Sequence, residues 1–172
     1  ESLLINAGRG AVIDNAALLA LLESGSSLRV ALDVWEGEPS INLSLMEKVA
    51  LATPHIAGYS IEGRVRGTEM LAEAFTQMTN ADAETLTEQP KTVATLTLET
   101  VSELILASYD VAEDDLRMRS ALNASSDVAQ TFDLLRKQYP ERHEFSCYKF
   151  SIDTQQAQPE LRAQALKLGF RD

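Results

Sequence analysis

Three apolar runs in the first third of the chain each end on a short motif rich in glycine, proline and charge. That rhythm constrains the fold more than any other feature. The runs lie at residues 3–5, 28–32 and 49–52. The motifs are Asn6-Ala7-Gly8-Arg9-Gly10 with Asp14 downstream, Asp33-Val34-Trp35-Glu36-Gly37-Glu38-Pro39, and Thr53-Pro54-His55-Ile56-Ala57-Gly58. Short apolar runs bounded by turn residues read as buried strands. Between the first two, Asp14 is placed to cap a helix over residues 15–23, with Leu18, Leu19 and Leu22 on one face and Gly25 as its stop. A short helix is expected near residues 43–48. Strand–helix–strand–helix–strand predicts half of a parallel, doubly wound α/β sheet. Such sheets keep their chemistry beyond the carboxyl ends of the strands, where all three motifs fall.

Residues 60–79 predict a long helix, with Ile61, Val65, Leu71, Ala74, Phe75 and Met78 near helical spacing. The polar, aperiodic stretch 80–91, which contains Pro90, reads as a linker. Beyond it, residues 92–172 predict a small α+β unit. Ala94, Leu96 and Leu98 share one face of a strand over 92–98, and Tyr148, Phe150 and Ile152 one face of a strand over 145–152. Val101, Leu104, Ile105 and Ser108 mark one helix, Val128, Phe132, Leu135 and Tyr139 another, and Leu161, Ala165 and Leu168 a last one. A unit of roughly 80 residues makes a marginal core alone, so it is expected to pack on its parent domain or on a twin.

The net charge of −11 comes with no basic stripe, which argues against a nucleic-acid partner. No apolar run reaches the roughly 18 residues of a membrane helix, so no membrane partner is expected. The single cysteine, Cys147, cannot form an intrachain disulfide, which fits a reducing cytoplasm. Two histidines 88 residues apart and one cysteine make no metal constellation, and no metal site is expected. His143 reads as a solvated member of a charge cluster, Cys147 as a buried structural residue, and Glu113-Asp114-Asp115 as a solvated loop or helix start. Gly8-Arg9-Gly10 lacks the Lys-Ser/Thr of a phosphate loop.

Arg9, Glu38 and His55 form a chemically coherent trio. Oxidising an alcohol beside a carboxylate needs a cation to grip the acid and a base to take the hydroxyl proton. Arginine suits the first task through its planar fork. Histidine suits the second because its ordinary pKa lies near neutrality. A carboxylate bonded to the histidine fixes its tautomer, and Glu38 is the candidate, with Glu36 a rival. Singly each has a bland reading: Arg9 as a cap for loop carbonyls, Glu38 as a solvated turn residue, His55 as a structural histidine. Together, after successive strands, they read as a site.

These motifs, and their spacing from Arg9 to Glu38 to His55, resemble those of the D-isomer-specific 2-hydroxyacid dehydrogenase family. The run from His55 through Tyr59, Glu62-Gly63 and Arg64 to Thr68 is similar to a branch of that family that acts on a phosphorylated 2-hydroxy acid and carries a C-terminal extension serving dimerisation. The resemblance is specific over residues 3–79 and mostly positional over 92–172. It implies the C-terminal half of a Rossmann-type doubly wound sheet, a partial NAD-binding domain over 1–79, followed by an α+β dimerisation domain over 92–172. It further implies Arg9 as substrate-binding and catalytic, Glu38 as the partner carboxylate and His55 as the general acid/base. Ala7, Gly8, Arg9, Asp33 and Gly58 would border NAD, and Tyr59 would touch substrate. The family's glycine-rich loop does not precede residue 1, so the chain alone is expected to bind NAD weakly and to be inactive. Competing expectations are a relative acting on phosphoglycerate or hydroxypyruvate, and a non-catalytic dimerisation module.

Overall fold

A computed structural model describes residues 2–79, 91–97, 100–151 and 159–172. Its elements, in chain order, are β1 (Leu3–Asn6), α1 (Asn15–Glu23), β2 (Arg29–Leu32), α2 (Leu43–Lys48), β3 (Leu51–Ala52), α3 (Ile61–Thr79), β4 (Ala94–Thr97), α4 (Val101–Ser108), α5 (Val111–Asn123), α6 (Val128–Lys137), β5 (Tyr148–Ser151) and α7 (Pro159–Lys167). The expected linker over residues 80–91 lies outside the described residues except for Lys91, and Leu98 and Ile152 lie outside them as well.

The chain forms two compact units. The first comprises Glu1–Ala57 and Val111–Pro140. Its sheet is parallel in the order β1-β2-β3, the βαβαβ arrangement the motif rhythm predicts. Asp14 caps α1 by accepting the Ala17 N–H at 2.9 Å, and Gly25, at φ 88°, ends the helix in a left-handed turn. Asn42 caps α2 by accepting the Leu45 N–H. Leu18 of α1, Val30 and Leu32 of β2, and Leu45 and Met46 of α2 are buried together. The expectation of a fully buried first strand is corrected: Leu3 and Ile5 are exposed, and only the alternate residue Leu4 packs on the core. Strand side chains alternate between faces, and the helices of this unit cover only the Leu4 face of β1.

Helices α5 and α6 complete this core through Met118, Leu122 and Phe132. They belong to the stretch that the sequence pattern assigns to a separate domain over 92–172, so the packing follows a different line from that division. Helix α5 seals the outer edge of the sheet. Asp115 Oδ1 accepts the Ala52 N–H at 2.6 Å. Arg119 bonds Asp115, the Met46 carbonyl and, at 3.0 Å, the Val49 carbonyl. Edge strands expose unpaired backbone groups, and here side chains satisfy them. The acidic trio is the helix start rather than the loop, with Glu113 exposed and Asp115 engaged instead of solvated. Asp114 is also buried, accepting from Tyr139 Oη at 2.7 Å and pairing with Arg117.

The second unit comprises Gly58–Asp110 and Glu141–Asp172. Strands β4 and β5 pair in parallel, and Leu104, Phe150, Ala165 and Phe170 form its core, with Phe145 stacked on Phe170 at 4.5 Å between centroids. Thr100 and Glu103 close a reciprocal capping box on α4. No residue of α3 is buried, and Leu71, Phe75 and Met78 are exposed. Cys147 is buried as expected but ends a 3-10 turn over Phe145–Cys147, and the strand begins one residue later.

Candidate active site

The carboxyl edge of the three-stranded sheet gathers the three motifs. After β1, Asn6 shapes the turn: its Oδ1 accepts the Gly8 N–H at 3.2 Å and its Nδ2 donates to the Arg9 carbonyl at 3.1 Å. Ala7, Gly8 and Arg9 are exposed there. The Arg9 guanidinium is turned onto the Gly8 carbonyl at 2.8 Å and makes no ion pair with Glu38 among the described residues. Gly10 is fixed by close approach, since a Cβ on it would lie 2.0 Å from the Trp35 carbonyl oxygen.

After β2 the two candidate carboxylates part company. Glu36 is bound to the start of α1: its Oε2 accepts the Asn15 N–H and its own N–H donates to Asn15 Oδ1, both at 3.1 Å. Glu38 turns the other way. Its Oε1 accepts the Trp35 N–H and its Oε2 meets His55 Nδ1, each at 2.7 Å. The Glu38–Pro39 peptide bond is cis. With both oxygens engaged, Glu38 is fixed in aim. Because a carboxylate only accepts, the imidazole carries its proton on Nδ1 and offers Nε2 outward. His55 is half-buried, which leaves the ring reachable.

His55 has φ 57°, a left-handed conformation that is uncommon outside glycine and costs of order 1–3 kcal/mol. Asp33 holds it there. The Asp33 carbonyl accepts the His55 N–H at 2.7 Å. Its Oδ1 accepts from Ile56 N–H and Thr53 Oγ1, and its Oδ2 from Ala57 N–H at 3.0 Å. Sequence reasoning missed Asn15 and Thr53, which support the site without belonging to it. Their signal was weak, because each stands beside a residue with a louder role. Gly58 and Tyr59 open the second unit, where the Tyr59 ring carries the Arg64 guanidinium 4.8 Å from its centroid.

Comparison with known proteins agrees with the parallel sheet. Residues 1–57 match the model of the D-isomer specific 2-hydroxyacid dehydrogenase, NAD binding domain. Residues 83–169, just over half of the sequence, match a domain of unknown function, DUF3410, and the chain belongs to that family. It is similar to the C-terminal part of erythronate-4-phosphate dehydrogenases. That of Edwardsiella ictaluri is 43% identical over 160 residues, covering 88% of this chain and 42% of the relative. That of Saccharophagus degradans is 39% identical over 175 residues, covering 97% and 45%. One from Escherichia coli (strain ATCC 8739) is 41% identical over 179 residues, covering 98% and 45%. The chain thus spans under half the length of these curated relatives.

Proposed function

We propose that this chain forms the C-terminal part of an NAD-dependent dehydrogenase that oxidises 4-phospho-D-erythronate to its 2-oxo acid, a step towards pyridoxal phosphate (vitamin B6). The observation that carries the reading is the 2.7 Å bond between Glu38 and His55 on the carboxyl edge of a parallel sheet. The relatives' shared name supports the substrate.

In this reading Arg9 leaves the Gly8 carbonyl and grips the substrate carboxylate. His55 Nε2 takes the hydroxyl proton, and Glu38 faces the imidazolium that results. NAD, when bound, supplies the hydride acceptor. The edge fits it. Ala7, Gly8 and Arg9 are exposed on the first turn, and Asp33 Oδ2 accepts one bond among the described residues where a carboxylate oxygen has room for two, which suits an amide donor. Gly58 would border the cofactor and Tyr59 the substrate. Residues 1–79 would then be a partial NAD-binding domain. Residues 92–172 would serve dimerisation, a role supported by the exposed Leu106, Leu166 and Leu168. A cytoplasmic location is supported by the one free cysteine.

The test is steady-state kinetics of the whole protein containing this chain, following NADH with 4-phospho-D-erythronate, 3-phosphoglycerate and glycerate. The expected result is a kcat/KM preference for the first, and a loss on the order of 10²–10⁴-fold in His55→Ala. Preference for either other acid assigns the protein to a different member of the class. Absence of turnover with all three favours a non-catalytic dimerisation module.

A further inference from the structure

Within the second unit, apart from the Glu38–His55 pair, three side chains of metal-ligating type converge. Glu62 lies in the first turn of α3, and His143 and Cys147 both lie in the segment leading into β5. Glu62 Oε1 meets His143 Nδ1 at 2.8 Å, and the Cys147 thiol also bonds the Glu62 carboxylate. One donor atom from each of the three lies within 4.8 Å of the others. Cys147 is buried, whereas Glu62 and His143 are 24% and 25% exposed, so the sulfur closes the inner side and the outer side is reachable from water.

The frame around them is rigid. The Ile61 N–H donates to the Arg142 carbonyl at 2.9 Å, and the Glu144 N–H donates to Glu62 Oε2 at 2.9 Å. The Cys147 N–H donates to the Glu144 carbonyl at 2.9 Å, the Cys147 carbonyl accepts from Val93 at 2.8 Å, and the Glu144 carboxylate accepts from Ser60 Oγ. Backbone bonds thus fix both segments that carry the donors.

We propose that Glu62, His143 and Cys147 form a binding site for a divalent transition-metal ion of the zinc type, with water in the fourth position. The donor set is one thiolate, one imidazole and one carboxylate, a combination of borderline softness that suits Zn²⁺ better than Mg²⁺ or Ca²⁺. Bonds of about 2.0–2.3 Å to a tetrahedral ion place ligand atoms roughly 3.3–3.8 Å apart, so the cluster need adjust by only about 1 Å. Two anionic donors and a neutral imidazole balance a dication. On binding, the thiol proton leaves to solvent, and a neutral His143 ligates through a proton-free Nδ1 with its single ring hydrogen on Nε2. The ion ties the first turn of α3 to the lead-in of β5. This replaces the expectation of no metal site. Glu62 and His143 are 81 positions apart in sequence, and only folding joins them.

The full chain, treated with a chelator and held reduced, is titrated with Co²⁺ as a spectroscopic stand-in for Zn²⁺. The expected result is saturation at one equivalent, a near-ultraviolet band from thiolate-to-cobalt charge transfer, and displacement by Zn²⁺. Cys147→Ser removes that band. His143→Ala and Glu62→Gln each weaken Co²⁺ binding by at least about tenfold, and His55→Ala leaves the titration unchanged. The wild-type spectrum needs no variant to fold. No uptake of Co²⁺ in excess, or uptake without the sulfur band, overturns the proposal, as does a band that survives in Cys147→Ser.

Discussion

The Ile56 N–H donates to Asp33 Oδ1 at 2.8 Å, and this bond helps hold the left-handed backbone of the preceding His55 in place. Asp33→Asn keeps an acceptor for Ile56 but cannot accept from Ala57 where its amide nitrogen replaces Oδ2. Ala57 is exposed, so water offsets part of the lost bond and the cost should be about 1 kcal/mol. Urea unfolding of the chain should register that loss, and Asp33→Ala should lose more. Equal midpoints for wild type and both variants would remove Asp33 from its supporting role.

Glu36→Gln and Glu38→Gln should separate cleanly. The first weakens the clamp on Asn15 and lowers stability by about 1 kcal/mol, with little effect on turnover in the whole protein. The second leaves stability nearly unchanged and alters the pH profile of kcat/KM, because it changes the group facing His55. A pH profile moved by the Glu36 substitution and not by the Glu38 one would reverse the assignment.

Gly10→Ala should be severely destabilising and Gly58→Ala mild. An added Cβ at Gly10 would sit 2.0 Å from the Trp35 carbonyl oxygen, a backbone atom that cannot swing aside, whereas at Gly58 it meets nothing within 4 Å. Overpacking typically costs about 1–3 kcal/mol and more where backbone must move. Thermal unfolding of the two variants side by side checks the contrast.

Arg119→Ala should destabilise the first unit by roughly 2–4 kcal/mol, since it leaves the Met46 and Val49 carbonyls and the Asp115 carboxylate without their shared donor. Arg119→Lys should recover only part of the loss, because a single ammonium cannot reproduce a planar fork. Full recovery by lysine would show that charge alone matters here.

Burial pushes the Glu62 carboxyl up, but hydrogen bonds from His143, the Glu144 N–H and the Cys147 thiol outweigh it and hold the group at about 2. A carboxyl held lower in the folded than in the unfolded chain contributes stability above the unfolded value and loses it as pH falls through the folded one. In the metal-free protein this contribution should therefore fade between about pH 4.5 and pH 2. Urea midpoints across that window should slope downward with acidification in wild type and less so in Glu62→Gln. Identical slopes would show that Glu62 is not the titrating group.

What was legible in the sequence was local. Asp14, Gly25 and the apolar spacing of Leu18 and Leu22 announce α1, and the three strand-end motifs announce the edge on which Glu38 meets His55. The choice between Glu36 and Glu38 was not legible, because it turns on Asn15, which lies 21 residues before Glu36 and reads as an ordinary first-turn residue. Helix α5 escaped notice for a related reason. Its opening residues include Glu113, Asp114 and Asp115, which look like solvated charge, yet two of them are spent on Tyr139 and on the backbone of β3. Long-range pairing decides both cases, and periodicity carries no trace of it.

The first unit is closed by a helical hairpin encoded more than fifty residues after its last strand, and this dictates an order of events during synthesis. While the ribosome extends the chain through residues 58–110, the nascent sheet has no cover where Met118, Leu122 and Phe132 will sit, and its core can close only after residue 140 emerges. The same arrangement makes residues 1–57 and 111–140 natural candidates for fragment complementation, two peptides that should regain one core with no covalent link between them.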